Sequence, residues 1–269
     1  MTRIAMVVSD VDGTLLTKDK TLTDRAIAAV RRLHQADIGF TIISSRPTIG
    51  MRFLIEPLQI ELPVGAFNGS SIVDPRMNPI EQHFLSPAAT RRSLDMFDEL
   101  GIDIWLFTHE QWFTGNGNGE YVPHEKRAIR ADPTVIDDFT PYVASACKVV
   151  GSSSDPALLV RCEAAMRSAL GGTASAVRSQ SYYLDITPPG YSKGTFVQTM
   201  ATRLGFSTSE VATIGDMQND LAMFEVSAMS IAMGNATEDV KKRATHVTSS
   251  NEEEGFARAV EMILQETDR

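Results

Sequence analysis

Two aspartates one residue apart, Asp10 and Asp12, end the apolar run "AMVVS" and stand directly before Gly13. Alternate residues of a strand share a face, so both carboxylates point the same way if the strand persists, and the glycine lets the chain turn away at once. Buried like charges cost desolvation and repel one another. The pair is therefore either an aspartate turn that closes a strand or part of a functional site. An EF-hand loop also begins D-x-D, but its sixth position would be Leu15 instead of glycine and its twelfth Thr21 instead of glutamate, so that reading fails.

Three further groupings carry comparable chemistry. Ser44 and Ser45 end the run "TIIS" ahead of a helix, where hydroxyls and free backbone N–H groups make either an anion seat or a helix cap, with Arg46 beside them. In "VATIGDMQND", Asp216 ends an apolar strand, and Asn219 and Asp220 open the helix after it. Lys193 opens a helix in "GYSKGTFV", where a cation opposes the helix dipole, so a functional reason competes with a solvated surface lysine.

The elements that must position these residues are apolar strands alternating with amphipathic helices. At the N-terminal end they run "IAMVVS", "TDRAIAAVRRLHQAD" with Thr23 as N-cap and Gly39 after the helix end, "GFTIIS", "TIGMRFLIEPL" and "PVGAF". The same grammar returns from "KGTFVQTMATRLG" to "EEEGFARAVEMILQE". Short two-sided apolar strands separated by helices predict right-handed βαβ units and a parallel, doubly wound sheet. Between these ends, helices such as "SPAATRRSLDMFDELG" are interleaved with alternating strands such as "IDIWLF" and "YYLDIT", an α+β pattern with an antiparallel sheet. The expected organisation is a Rossmann-like α/β core from residues 1–82 and 188–269 with an inserted α+β domain at 83–187. "GNGNG" at 115–119 lacks the GxGxxG spacing and reads as a local turn.

In such a sheet, ligands gather at the carboxyl ends of the strands where strand order reverses. If the first strand lies centrally, with the second on one side and the "VATIG" strand on the other, then Asp10, Asp12, Ser44 and Asp216 surface at one crevice. Three carboxylates cannot share a small site unpaired, so a cation is required. Oxygen ligands with room for water and a substrate phosphate describe Mg²⁺, while the 5 histidines form no zinc spacing.

Composition narrows the partners. The 269 residues carry 25 basic and 34 acidic side chains, a formal charge of −9, and no long basic run, so nothing points to nucleic acid. No apolar run approaches the roughly 18 residues of a membrane span, and the first acid comes too early for a signal peptide. The 2 cysteines, Cys147 and Cys162, form no CxxC pair and suit a reducing compartment, so the expected location is the cytoplasm.

Taken together, "DVDGTLL", "SSR", "YSKG" and "GDMQND…MSIAMGNATEDVKKRAT" resemble, in order and spacing, the motifs of the haloacid dehalogenase superfamily, specifically its Cof-type phosphatases with a type IIB cap. The resemblance spans nearly all of the core and places the cap after the third strand. It implies a Mg²⁺-dependent phosphomonoester hydrolase acting on a small phosphorylated metabolite, a sugar phosphate above all. Asp10 would be the nucleophile that becomes an aspartyl phosphate, and Asp12 the group that protonates the leaving alkoxide and then activates water. Asp10, the backbone carbonyl of Asp12 and Asp216 would hold Mg²⁺, with Asp220 as an outer or water-mediated partner. The backbone N–H of Val11, Ser44, Ser45, Lys193 and Asn219 would bind the phosphoryl oxygens.

Two departures stand out. Many relatives carry Thr-Gly-Arg where this chain has Ser44-Ser45-Arg46, and mannosyl-3-phosphoglycerate phosphatases tend to have a Ser-Ser pair there. Tyr191 replaces a small aliphatic residue, which implies either a narrowed entrance or hinge packing. The alternatives carried alongside are a phosphotransferase or mannosyl-3-phosphoglycerate phosphatase on the same scaffold and, more remotely, a non-catalytic phospho-acceptor module. Asn68-Gly69, His109, Trp112 and Tyr183 could reach inward, but strand faces in the cap cannot be oriented from sequence, and they are read as structural.

Overall fold

The computed structural model describes residues 3–267. The first part of the chain forms β1 (Met6–Ser9), α1 (Asp24–Gln35), β2 (Gly39–Ile42), α2 (Arg52–Leu58), β3 (Val64–Ala66), β4 (Ser71–Val73) and β5 (Pro79–Gln82). Every residue of β1 is buried, as expected of a strand covered on both faces. The α1 helix starts where Thr23 Oγ1 accepts the Ala26 amide at 3.1 Å. Its C-terminal reversal falls on Asp37 (φ 56°), two residues before Gly39, because aspartate tolerates the left-handed region that the turn requires.

The middle of the chain contributes α3 (Pro87–Glu99), β6 (Asp103–Phe107), β7 (Trp112–Thr114), α4 (Val122–Ile129), β8 (Thr134–Val135), β9 (Lys148–Ser152), α5 (Pro156–Leu170), β10 (Ser175–Gln180) and β11 (Tyr183–Thr187). The last part forms α6 (Lys193–Leu204), β12 (Val211–Gly215), α7 (Leu221–Phe224), β13 (Met229–Ala232), α8 (Glu238–Lys241), β14 (His246–Val247) and α9 (Gly255–Thr267).

A five-stranded sheet in the order β14-β13-β12-β1-β2 unites the two ends of the chain, and all its neighbours run parallel. β1 lies between β2 and β12, so the chain order changes direction at β1 and a crevice opens at its carboxyl end. The run "PVGAF" does not extend this ladder as expected. β3 touches β2's continuation by a single parallel bridge, Ile43 to Gly65, and otherwise pairs antiparallel with β4 in a three-stranded sheet with β5. The cause is local: Phe67, Asn68 and Gly69 all take positive φ (49°, 58° and 95°) and fold the chain straight back.

A six-stranded sheet, β10-β11-β9-β6-β7-β8, is antiparallel except for the short β7–β8 pair. Strand alternation gives it two different faces. Leu106, Phe113, Val149, Leu184 and Ile186 form one apolar cluster with α3 and α5. Trp105, Phe107, Trp112, Val150 and Tyr183 face the other way and join the cluster that includes α4 and the parallel-sheet core. Residues 83–86 and 188–192 connect the two sheet systems, and the rings of His83 and Tyr191 stack between these connectors at 4.1 Å. Tyr191 is thus packed against His83 of the facing connector. No helix among the described residues is long and apolar enough to cross a membrane.

Candidate active site

The carboxyl ends of β1, β2 and β12 bring together residues more than 200 positions apart. Asp10 follows β1, its amide donating to the Ile214 carbonyl at 2.9 Å. Asp216 follows β12. Carboxylate oxygens of Asp10, Asp216 and Asp220 lie within 4.8 Å of one another, and all three side chains are buried. Lys193, at the start of α6 and 1% exposed, sits between them, with Nζ 2.5 Å from both Asp10 Oδ1 and Asp220 Oδ1.

A cation at a helix N-terminus is thus compensated by acids, the arrangement that the dipole alone disfavours. Burial lowers the ammonium's proton affinity, but Asp10 and Asp220 more than reverse this and hold it charged. Burial pushes the Asp10 carboxyl up to about 7, against Lys193, and Asp220 adds to the rise. Burial, then Asp10 and Asp220, raise Asp216 well above the usual range. Such a cluster of oxygen donors under mutual repulsion fits a hard divalent ion such as Mg²⁺.

The three acids are held differently. Asp216 receives Thr14 Oγ1 at 3.2 Å and Asn235 Nδ2 at 3.1 Å, and the same Asn235 nitrogen donates to the Gly13 carbonyl at 2.9 Å. Asp220 Oδ2 accepts the amides of Asp216 and Met217, both at 2.8 Å, so with Lys193 on its other oxygen it braces the loop. Gly13 (φ +82°) approaches so closely that a Cβ there would lie 2.4 Å from Asp216 Oδ2.

Asp12 points elsewhere. Arg46 grips it with Nε to Oδ2 at 2.6 Å and Nη2 to Oδ1 at 2.7 Å, and Lys20 Nζ reaches Oδ1 at 2.6 Å. Burial would raise this carboxyl, but Arg46 and then Lys20 hold it well below the carboxylate range. Arg46 in turn donates to the carbonyls of Gly50 and Ala128, the latter in α4.

The remaining residues picked out by sequence fall around the same crevice. The Val11 side chain is buried, and its carbonyl accepts the Leu15 and Leu16 amides at 3.0 Å, forming the tight turn after β1. Ser44 is 1% exposed and its Oγ accepts the Arg46 amide at 3.1 Å, while the Ser45 carbonyl receives Lys148 Nζ at 3.0 Å. Asn219 Nδ2 donates to Asn68 Oδ1 at 3.0 Å, and its own Oδ1 is buried with no hydrogen-bond partner among the described residues.

Asn68, read from sequence as structural, is carried into the crevice by the reversal after β3, where it meets Asn219; the dipeptide Asn-Gly at a strand end is the signal for that turn. Thr14 and Asn235 lie within the quoted runs "DVDGTLL" and "MSIAMGNATED" but were given no role there, and each acts on Asp216. Trp112 is buried against the six-stranded sheet, stacked on Phe107 at 5.8 Å, and His109 offers its carbonyl to Thr48 Oγ1 at 2.6 Å. Tyr183 faces a narrow cavity of about 40 Å³ that is also lined by Asp12, Ser45 and Arg46.

Known proteins share this arrangement of elements. A family model of haloacid dehalogenase-like hydrolases matches residues 7–260. A 5-amino-6-(5-phospho-D-ribitylamino)uracil phosphatase of Bacillus subtilis is 27% identical, over 96% of this chain and 97% of that protein. The crystal structure of a haloacid dehalogenase-like hydrolase from Bacteroides thetaiotaomicron superposes with a TM-score of 0.86 at 27% identity, covering 97% of this chain and 100% of that one. A subclass IIB sugar phosphatase shares the fold, with a TM-score of 0.83 at 19% identity over 96% of this chain and 98% of that one.

Proposed function

The chain belongs to the haloacid dehalogenase-like hydrolase family and is a phosphatase; from that premise we propose that it hydrolyses the phosphomonoester of a small metabolite, a sugar or sugar-alcohol phosphate, through an aspartyl phosphate on Asp10. The phosphoribityl group in the name of the Bacillus subtilis relative supports this substrate class. The observation that carries the reading is the buried convergence of Asp10, Asp216, Asp220 and Lys193 beside the Ser44 loop. The antiparallel unit of residues 83–187 is read as the cap that closes over the crevice.

The side chain of Asp10 attacks phosphorus, and the ester oxygen leaves as an alcohol after taking a proton from Asp12. Asp12 then takes a proton from water, whose oxygen attacks the aspartyl phosphate, freeing phosphate and restoring Asp10. As found, Asp12 is a carboxylate clamped by Arg46 and Lys20, which suits the second step, and the proton that it takes from water there is the one that it gives to the next leaving alkoxide. Lys193 and Asn219, with the Ser44 hydroxyl and the Val11 and Ser45 amides, cradle the phosphoryl oxygens and neutralise developing charge. Asp10, Asp216 and the Asp12 carbonyl would hold Mg²⁺, with Asp220 bracing from outside, and the ion would supply electrostatic stabilisation of the phosphoryl group. The reading also places the protein in the cytoplasm, consistent with the buried, unpaired Cys147 and Cys162, the former with its thiol pushed up by burial to about 11.

Hydrolysis of p-nitrophenyl phosphate with Mg²⁺ tests this directly. Asp10→Asn is expected to lower turnover by roughly a thousandfold or more, and parent-like phosphate release by that variant would reject the nucleophile.

A further inference from the structure

A second cleft, of about 370 Å³, opens where α4 meets the turn ahead of α1 and the α2 helix. We propose that it is a binding site in its own right for a phosphate dianion, separate from the catalytic crevice, and that the bound anion ties α4 to the parallel-sheet core. None of Asp10, Asp12, Ser44, Lys193 or Asp216 lines it. Its charge comes from Lys20, Arg127 and Arg130, faced by the single carboxylate of Asp19.

Arg130 carries the inference. It follows α4 directly in the left-handed region (φ 56°), a conformation that costs any residue with a Cβ, and its guanidinium lies over the Phe53 ring of α2 at 3.8 Å from the centroid. Stacking uses the flat face of the guanidinium and leaves its edges, where the N–H donors point, open. Among the described residues neither Arg130 nor Arg127 has an ion pair or a side-chain hydrogen bond. Asp132, the acid next in sequence, is taken by Lys126 at 2.5 Å. The field of Arg127 reaches inward, since His124, lowered first by burial, is lowered further by Lys20 and Arg127. The helix dipole favours cations at this end of α4, but it does not ask for one laid flat on a ring of the opposite wall. In a chain of net charge −9, two adjacent arginines left without counter-ions and one of them pre-oriented describe an anion receptor.

The donors select the class of anion. A carboxylate offers two oxygens, which one guanidinium fork fills. Phosphate presents oxygens on several sides, so it can accept forks from both arginines and still take the Thr21 hydroxyl, which lines the same cleft. Lys20 lines this cleft and the cavity beside Asp12, but its Nζ is held by Asp12 Oδ1 at 2.6 Å, so it marks the boundary between the two sites. The volume lies at the small end of ligand sites and admits a phosphate with or without an organic group.

The test titrates the Mg²⁺-loaded full chain calorimetrically with inorganic phosphate, methylphosphonate and acetate at constant ionic strength, because screening weakens exposed charge contacts. Inorganic phosphate is expected to fill the cleft as well as the catalytic crevice. Arg127→Ala and Arg130→Ala are each expected to weaken the cleft's equivalent about tenfold or more and to leave the crevice's intact. Arg130→Lys, which keeps the charge and loses the fork, is expected to fall between. Both side chains are exposed, so the variants should melt as the parent does, and Arg130→Lys decides if an alanine variant fails to fold. Hydrolysis of p-nitrophenyl phosphate without added phosphate is expected to stay parent-like, as neither side chain lines the cavity beside Asp12. Methylphosphonate bound at the cleft identifies the occupant as a phosphomonoester; its refusal, with inorganic phosphate bound, identifies the free ion. Titrations identical in parent and variants, acetate held at the cleft as tightly as phosphate, or loss of hydrolysis in the variants overturns the site. A single equivalent that Arg130→Ala removes upholds the cleft and counts against phosphate binding beside Lys193, so the two readings fail separately.

Discussion

At φ +82°, with Asp216 Oδ2 only 2.4 Å from where a Cβ would stand, Gly13 is the residue that lets the turn after Asp12 close against the β12 loop. Alanine there costs about 1–2 kcal/mol for the left-handed backbone alone, and its methyl also drives Asp216 away from Asp10. Gly13→Ala is therefore expected to raise the Mg²⁺ concentration for half-maximal activity at least about tenfold, as displaced ligand supports commonly do. A Mg²⁺ titration reads this, and a parent-like midpoint would show that Asp216 does not need this close approach. The contrast with Thr14 and Asn235 explains what sequence could carry. Asp10, Asp12 and Asp216 were legible because each stands at the end of an apolar strand, with Asp12 and Asp216 also adjoining a glycine, a local pattern. Thr14 and Asn235 matter through hydrogen bonds to Asp216, 202 and 19 positions away, and nothing in their own neighbourhoods encodes that partner.

Among the elements, α6 bears most directly on the site, because its first residue is Lys193. Ser192 Oγ accepts the Thr195 amide at 3.2 Å, and Thr195 Oγ1 accepts the Ser192 amide at 2.8 Å, a reciprocal cap that fixes where the helix begins. Ser192→Ala removes half of this box and is expected to cost about 1 kcal/mol. In a chain of this size that lowers the melting temperature by about 2–4 °C, read by a thermal melt; an unchanged melt would mean that the ion pairs of Lys193 alone define the helix start. Helix starts such as Thr23 were legible because caps are local chemistry. Strand partnership was less so: "PVGAF" has the composition of a buried parallel strand, but the positive φ values at Phe67, Asn68 and Gly69 turn it into a hairpin arm. The two faces of the six-stranded sheet were illegible for a related reason. Which of Trp105 or Leu106 faces the core depends on where α3, α5 and α4 pack, and each face is apolar.

For the whole molecule, the buried acids make stability a function of pH and metal together. Burial, as the main cause, pushes Asp10 up from the ordinary carboxylate range to about 7, and Asp216 shifts in the same direction. A carboxyl raised in the folded state favours folding fully below its unfolded pKa, and that contribution is lost as pH rises through the folded value. Metal-free protein should thus lose stability from these groups between about pH 4 and 7. Asp12, shifted the other way, titrates below this window and does not disturb it between pH 5 and 8. His124, lowered first by burial, titrates with the opposite sign but does so with or without metal, so the difference between the two conditions removes it. Mg²⁺ binds the deprotonated acids, so its stabilisation grows with pH. At about 100 times its dissociation constant the ion adds about 2.7 kcal/mol, or roughly 5–10 °C in melting temperature. The expected outcome is a Mg²⁺-induced shift of that size at pH 8 that shrinks markedly at pH 5 and is largely lost in Asp216→Asn. A shift equal at both pH values, or intact in Asp216→Asn, would mean that the ion binds away from the Asp10–Asp216 cluster and that the convergence of the β1 and β12 ends does not form the metal site.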